Sequence, residues 1–196
     1  VGSEMCIRDR SHYTRYGSSS NSLSHTSILS LHKDMQGNIW VGTYYGGVNV
    51  FNPDKNNHSF YCAEPLREDC LSFPVVGKMT EDSAGNVWIC TEGGGLNCYH
   101  GDTGVFSRYM YHKGDQSTLG SNNVKSVFYR KENNRLYAGT HLGGLFVLDL
   151  KSNKGHTLHH VTGDPASLPH EIVNDIQEYK AVSYTHLRAH ETELHL

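Results

Sequence analysis

A period of about 48 residues runs through most of the sequence and limits its fold more than any other feature. Three segments carry it most clearly: Trp40-Val41-Gly42-Thr43, Trp88-Ile89-Cys90-Thr91 and Tyr137-Ala138-Gly139-Thr140. In the same register lie the glycine pairs Gly46-Gly47, Gly94-Gly95 and Gly143-Gly144, and the leucines Leu23, Leu71, Leu119 and Leu168. Self-similarity at a period of about 20–50 residues is typical of solenoids, propellers and repeat arrays. The chain is therefore expected to consist of copies of one structural unit.

Each unit is predicted to form four short strands. The first strand, at 28–32, places Ile28 and Leu31 at a helical spacing, but β-branched neighbours and flanking turn residues favour a strand. The second strand carries Trp40 in the first unit and Trp88 in the second. Because each indole can bury about 150–250 Å² of surface, we expect both rings to fill the space between neighbouring units. Stacking on a sugar is the alternative role for these rings.

The turns of the repeat support the same interpretation. The segment 34–38 opens with Asp34 and carries Gly37, and Gly85 holds the matching place in the second unit, which is typical of a type I turn followed by a left-handed residue. The glycine pairs permit positive φ after the second strand. Four antiparallel strands in a period near 48 indicate a β-propeller blade. We therefore predict an all-β fold that forms part of a β-propeller, about three and a half blades.

The two ends of the sequence depart from the repeat. Residues 1–10 and 181–196 resemble translated sequencing adapters read through in frame, so both segments are expected to be artefacts. Residues 11–180 are then expected to be a propeller fragment cut from a longer protein. Its blades are predicted at 23–62, 71–112, 119–160 and, incompletely, 168–180.

Composition and motifs exclude several classes of function. A formal net charge of −3 lacks the excess of basic residues that nucleic-acid binding requires, and no apolar run approaches the roughly 20 residues of a membrane span. His156, His159 and His160 cluster, but a solvated outer strand explains them better than a metal site. No catalytic constellation can be assembled. We therefore expect no metal, no cofactor, no catalytic residue and no enzymatic activity in this region.

The cysteines leave two interpretations open. Cys90 and Cys98 lie on neighbouring strands of one predicted hairpin, and an oxidising compartment would permit a disulfide between them. The other units carry glycine or valine at these positions, so a bridge is not part of the repeat. Two buried thiols are the favoured alternative.

The combined pattern resembles the two-component regulator propeller repeat. The unit runs Leu, two hydrophobic residues, Asp–x₂–Gly-Asn, a hydrophobic residue and Trp, then a hydrophobic residue, Gly-Thr and Gly-Gly. The third unit departs from it, with Arg130 at the Asp position and its extra residue expected within the turn 130–135. The resemblance implies the extracytoplasmic, periplasmic sensor of an inner-membrane hybrid two-component protein. It further implies additional blades, a homodimeric parent with a histidine kinase, and in many members an oligosaccharide ligand.

One end of the blades is predicted to bind the ligand. The glycine-pair turns and the linkers between blades should share that end, and the residues before each pair vary while the turn stays constant. Variable loops on a constant scaffold are typical of binding surfaces. The candidate residues are Tyr44, Tyr45, Glu92 and His141. The alternative function is a propeller scaffold that mediates protein contacts or dimerisation without a small ligand.

Overall fold

The computed structural model describes residues 22–55, 57–64, 66–67, 69–178 and 185–187. They form three four-stranded antiparallel sheets in which consecutive strands are neighbours. The first sheet contains β1 (Ile28–Lys33), β2 (Ile39–Thr43), β3 (Val48–Asn52) and β4 (Asn57–Tyr61). The second contains β5 (Val76–Glu81), β6 (Val87–Thr91), β7 (Leu96–Tyr99) and β8 (Phe106–Tyr109). The third contains β9 (Val124–Arg130), β10 (Arg135–Thr140), β11 (Leu145–Asp149) and β12 (Lys154–Leu158). The predicted all-β architecture of four-stranded blades is confirmed.

The blades pack face to face around their innermost strands. The first strand β5 contacts both β1 and β9, the first strands of the other two blades, so each blade begins at the centre and ends at the outside. Successive side chains of a strand point to opposite faces. In β6, Val87 and Ile89 therefore pack against the first blade, whereas Trp88 and Cys90 pack against the third. The apolar core thus lies between the sheets, and a third cluster, around Val147 and Ile176, continues it beyond the third blade.

A buried carboxylate closes the first turn of blades one and two. Asp34 accepts hydrogen bonds from the backbone N–H of Asn38 at 2.8 Å and from the indole Nε1 of Trp40 at 2.8 Å. The second blade repeats the bond between Trp88 Nε1 and Asp82 at 2.9 Å. Trp40 also meets the ring of Tyr99 in the second blade edge to face at 5.0 Å. Both indoles are buried between blades as predicted, and each is also tied to the turn of its own blade.

The third blade replaces this turn with a longer one. Arg130 pairs with Arg135, which leaves the extra residue inside the predicted turn. Asn134 has a φ of 53° and takes the place that Gly37 fills with a φ of 84° in the first blade. Asn is among the few residues with a side chain that tolerate this conformation. The irregular third unit therefore keeps the same backbone path without the Asp.

A β-bulge explains the helical spacing in the first strand. The pairing of β5 with β6 shifts register between Val76 and Met79, and the first blade shifts between Ile28 and Ser30. An extra residue at a bulge brings two side chains three apart onto one face. Val76 and Met79 accordingly pack into the same cluster between the first two blades. The apparent helical spacing is thus the sequence pattern of a bulged strand.

A two-stranded ladder follows the third blade. Strand β13 (Ile176–Glu178) pairs with β14 (Thr185–Leu187), and Ile176 lies opposite Leu187. In the first blade Leu31, the repeat counterpart of Ile176, lies opposite Val41. Leu187 therefore takes the position that Val41 has in the first blade. Part of the segment predicted to be an adapter thus occupies the place of a second strand. Whether it is an adapter stays a prediction, and residues 1–10 lie outside the described residues.

We expect the isolated chain to self-associate. Leu31 is 69% exposed on β1, whereas the matching Val127 of the third blade is buried against the second blade. Among the described residues nothing covers that face of β1, and exposed apolar faces and strand edges drive association. Leu31→Lys is expected to shift the sedimentation distribution towards monomer. The same change at Val161, an exposed linker residue, should leave the distribution unchanged. A wild-type chain that sediments as a monomer and unfolds sharply and reversibly would contradict the expectation.

Candidate ligand-binding face

The glycine-pair turn is built alike in all three blades. The hydroxyl of Thr91 donates to the carbonyl of Gly95 at 2.7 Å, and its counterparts in the other blades bond in the same way. Gly95 has a φ of 75°, and a Cβ at this position would stand 2.3 Å from the carbonyl oxygen of Tyr109. The turn therefore requires glycine twice over, through its backbone conformation and through its contact with the end of the fourth strand.

A serine–asparagine pair anchors this end of the first two blades. The backbone N–H of Ser72 donates to Asn97 Oδ1 at 2.9 Å, and Asn97 Nδ2 donates to Ser72 Oγ at 2.8 Å. Ser24 and Asn49 form the same pair in the first blade. This hydrogen-bonded pair was not predicted, although Ser and Asn recur at matching positions of the first two units. It ties the entry of each blade to its third strand.

The two tyrosines of the prediction lie on the exposed tip of the first turn. Tyr44 and Tyr45 are 45% and 60% exposed, and their ring centroids are 4.8 Å apart in an edge-to-face arrangement. Tyr45 has a φ of 66°, and Leu142 takes the matching conformation in the third blade with a φ of 61°. The backbone N–H of Tyr44 donates to Ser27 at 3.0 Å, which holds the tip against the innermost strand.

The other two predicted residues occupy the matching turns of the next blades. The carboxylate of Glu92 binds Lys125 Nζ of the innermost strand of the third blade at 2.6 Å. The backbone N–H of His141 donates to Asn123 at 2.9 Å, and its ring is half-buried. All four residues thus lie at one end of the blades, on three successive turns. The ion pair with Lys125 was not predicted, because nothing in the repeat indicates which residue faces the turn of the preceding blade.

The opposite end holds a partly open cavity. A space of about 160 Å³ lies between the first two blades, among Asp34, Trp40, Tyr61 and Tyr99. Burial and the bond to Tyr99, with an oxygen–oxygen distance of 3.0 Å, raise the pKa of the Tyr61 hydroxyl far above its usual range. The Tyr61 hydroxyl therefore stays protonated. The polar groups around the cavity bond to one another. This arrangement suits a structural contact between blades.

Among the described residues, all four cysteines are free thiols. Cys90 and Cys98 are fully buried between the second and third blades, where burial raises the pKa of the Cys98 thiol to about 12 and that of Cys90 further. The buried-thiol alternative therefore describes this structure. His159 contacts Glu171 at 3.1 Å, and His160 bonds the carbonyl of Leu168. Within the described ranges no group of three or more potential ligands is gathered for a metal, and no helix could cross a bilayer.

Comparisons with known proteins point to one kind of domain. Residues 22–45 match the family model of the two component regulator propeller. The fold is similar to the extracellular domain of the hybrid two component system BT3049 from B. thetaiotaomicron, with a TM-score of 0.66 and 26% identity over 77% of this chain and 20% of that one. The corresponding domain of BT4673 from the same organism gives a TM-score of 0.61 and 25% identity, over 79% of this chain and 19% of that one.

A more distant structure shares the fold alone. PorZ, a surface component of the type-IX secretion system of Porphyromonas gingivalis, gives a TM-score of 0.60 at 12% identity, over 85% of this chain and 26% of that one. No curated protein matches the chain significantly. The chain spans about a fifth of the length of the first two structures. The resemblance predicted from the repeat is confirmed: the chain contains a two component regulator propeller repeat within blades that fold like the extracellular domains of hybrid two component systems.

Proposed function

We propose that these blades are part of the extracytoplasmic propeller with which a hybrid two-component signalling protein of the inner membrane senses its ligand. The observation that carries the proposal is the likeness to the extracellular domain of such a system at 26% identity, together with the repeat match at residues 22–45. The remaining blades of the parent would cover the exposed side of β1. A homodimeric parent is part of the same proposal.

The ligand class that we propose is an oligosaccharide. Sugar rings present C–H faces that stack on aromatic rings, and Tyr44 and Tyr45 expose two such rings 4.8 Å apart. Their hydroxyls leave a polar edge for bonds to the sugar. Amphipathic aromatic side chains are common where a site is partly wet. This pair would provide the first contact of the site.

Polar groups on the neighbouring turns would orient the sugar. The Glu92 carboxylate is held by Lys125 at 2.6 Å, so its position is fixed before a ligand arrives. Its second oxygen can accept a hydrogen bond from a hydroxyl, and the half-buried ring of His141 can donate or accept one. A few placed polar groups beside apolar surface are what a binding site needs for orientation. Three successive turns would suit a ligand of several sugar units.

Calorimetric titration of the complete ectodomain with candidate oligosaccharides tests the proposal. Tyr44→Ala and Tyr45→Ala are each expected to weaken binding about tenfold, since one lost contact of ~1.4 kcal/mol has that effect. Glu92→Ala and His141→Ala should weaken it by similar or smaller factors. Phe60→Ala is the matched control, because Phe60 is an exposed aromatic residue on the outer strand β4 and belongs to none of the glycine-pair turns.

Two outcomes would count against the proposal. Unchanged affinity in all four variants, with folding intact, would exclude this face as the binding site. If no oligosaccharide releases heat while the ectodomain associates with itself or with another protein, the scaffold alternative would replace the sensing function.

A further inference from the structure

The linker between the first two blades brings two cysteines into neighbouring positions. Cys62 follows β4 directly, and Cys70 lies just before the second blade begins. Between them the linker folds back on itself, because Ala63 and Leu71 form a parallel bridge in which the N–H of Glu64 donates to the carbonyl of Leu71 at 3.1 Å. Cys62 and Cys70 each stand one residue before the members of that bridge.

This register brings the two cysteines within reach of a disulfide. Residues that precede a parallel bridge on its two limbs are themselves neighbours, and adjacent strands lie about 4.7–4.9 Å apart. Disulfides join Cα atoms that are about 4.4–6.8 Å apart. Cys62 and Cys70 therefore need little backbone movement to join.

An arginine of the second blade holds the two limbs of the linker together. Arg108 on β8 donates through Nε to the carbonyl of Cys70 at 3.0 Å and through Nη2 to the carbonyl of Glu64 at 2.9 Å. The same Nη2 reaches the carbonyl of Leu71 at 3.2 Å. One guanidinium thus fixes backbone groups next to both cysteines and keeps the linker folded back.

An ion-pair cluster places the two thiols on either side of one cation. Arg67 contacts Glu64 at 3.5 Å and Asp69 at 2.9 Å. The thiol of Cys62 lies 3.7 Å from Glu64, and the thiol of Cys70 lies 3.8 Å from Asp69. Both sulfurs therefore lie beside the same cluster of charged side chains.

Accessibility separates this pair from the other thiols. Cys62 is exposed and Cys70 half-buried, whereas Cys90 and Cys98 are enclosed between blades. An oxidant in solution can therefore reach the linker pair and cannot reach the core pair without unfolding. The linker also contacts the candidate face, since a Cβ on Gly47 would stand 3.3 Å from the Cα of Cys62.

We propose that Cys62 and Cys70 form a disulfide that closes the first linker at the end of the blades that carries Tyr44 and Tyr45. The thiolate of one cysteine attacks a small disulfide oxidant and expels one thiolate, and the other cysteine then attacks the mixed disulfide and expels the second. The two cysteines lose two protons and two electrons, which reduce the oxidant to two thiols. The bond would persist in an oxidising compartment, so its occurrence in the cell rests on the proposed extracytoplasmic function.

The experiment uses the full chain with Cys6→Ser, at low concentration in a buffer of oxidised and reduced glutathione. After free thiols are alkylated, peptide mass mapping is expected to find Cys62 and Cys70 in one linked species. Its mass should be that of the reduced, unalkylated peptides less two hydrogen atoms. Cys90 and Cys98 should be alkylated only after denaturation. Cys62→Ser and Cys70→Ser should each abolish the linked peptide, whereas Cys98→Ala, the matched control, should retain it.

Three outcomes would overturn the proposal. They are a stable glutathione adduct on Cys62 without closure, bridges between chains only, or oxidation of Cys90 with Cys98 instead. Native tryptophan emission confirms in each variant that the blades are folded. Because the oxidant is added and no ligand is present, the result does not depend on whether the propeller senses an oligosaccharide.

Discussion

Replacing Gly95 by alanine is expected to lower the free energy of unfolding by roughly 3 kcal/mol. A residue with a Cβ at its φ of 75° costs roughly 1–2 kcal/mol, and the Cβ would meet the carbonyl oxygen of Tyr109 at 2.3 Å, which adds about 1–3 kcal/mol of overpacking. The carbonyl belongs to the backbone of β8 and cannot swing aside. Urea unfolding followed by the fluorescence of the two tryptophans measures the change.

Gly114→Ala separates the two contributions. Gly114 has a φ of 86°, but nothing lies within 4 Å of the position that a Cβ would take. It should therefore show only the conformational cost, roughly 1 kcal/mol. Equal losses for Gly95→Ala and Gly114→Ala would mean that the contact with the fourth strand contributes nothing to the requirement for glycine.

Replacing Asp82 by alanine is expected to cost a similar amount, roughly 3 kcal/mol. Its buried carboxylate accepts hydrogen bonds from the backbone N–H of Ala84 at 2.9 Å and Asn86 at 3.0 Å, and from Trp88 Nε1 at 2.9 Å. Hydrogen bonds to a charged group are worth about 1.5–3 kcal/mol each, and the indole N–H of Trp88 would be left buried without this acceptor. The emission of Trp88 should shift as its indole N–H loses its acceptor.

Asp102→Ala is the control for this change. Asp102 is an exposed carboxylate in the turn between β7 and β8, where surface substitutions usually stay within about 0.5 kcal/mol. If Asp82→Ala falls in the same range with unchanged Trp88 emission, the turn carboxylate does not stabilise the blade. The third blade already manages without it, since Arg130 takes that position and Asn133 Nδ2 bonds the hydroxyl of Tyr137 at 3.1 Å instead.

The repeat made the strands and turns predictable, because the same backbone is encoded three times. Gly37 and its counterpart Gly85 lie in the first turn of their blades, and Trp40 and its counterpart Trp88 lie between blades. The bulge at Val76 was visible only as an anomalous spacing, since a pattern of apolar residues shows which side chains are buried and not how the ladder accommodates them. Ser72 and Asn97 match Ser24 and Asn49 of the first unit, so the contact between them could have been predicted from the repeat.

Contacts that occur once were not predictable in this way. Arg108 binds the carbonyls of the first linker, and Lys125 binds Glu92. The matching positions of the other units carry neither an arginine nor a lysine that would have indicated these contacts. The sequence predicted the end of the blades on which the candidate residues lie, because strand order alone decides that. Their ion pairs and exposures depend on how neighbouring blades pack, which a single repeat unit does not encode.

The ladder between β13 and β14 has a practical consequence for dividing propellers into pieces. A first strand without the rest of its blade offers unpaired backbone groups. In this chain Thr185–Leu187 pairs with β13 at the position of a second strand. A boundary placed between two strands of one blade therefore leaves a strand whose backbone groups are free to pair with an added tag. A boundary in the linker after β12 would leave only whole blades, and tags added there would remain outside the hydrogen-bonded ladder.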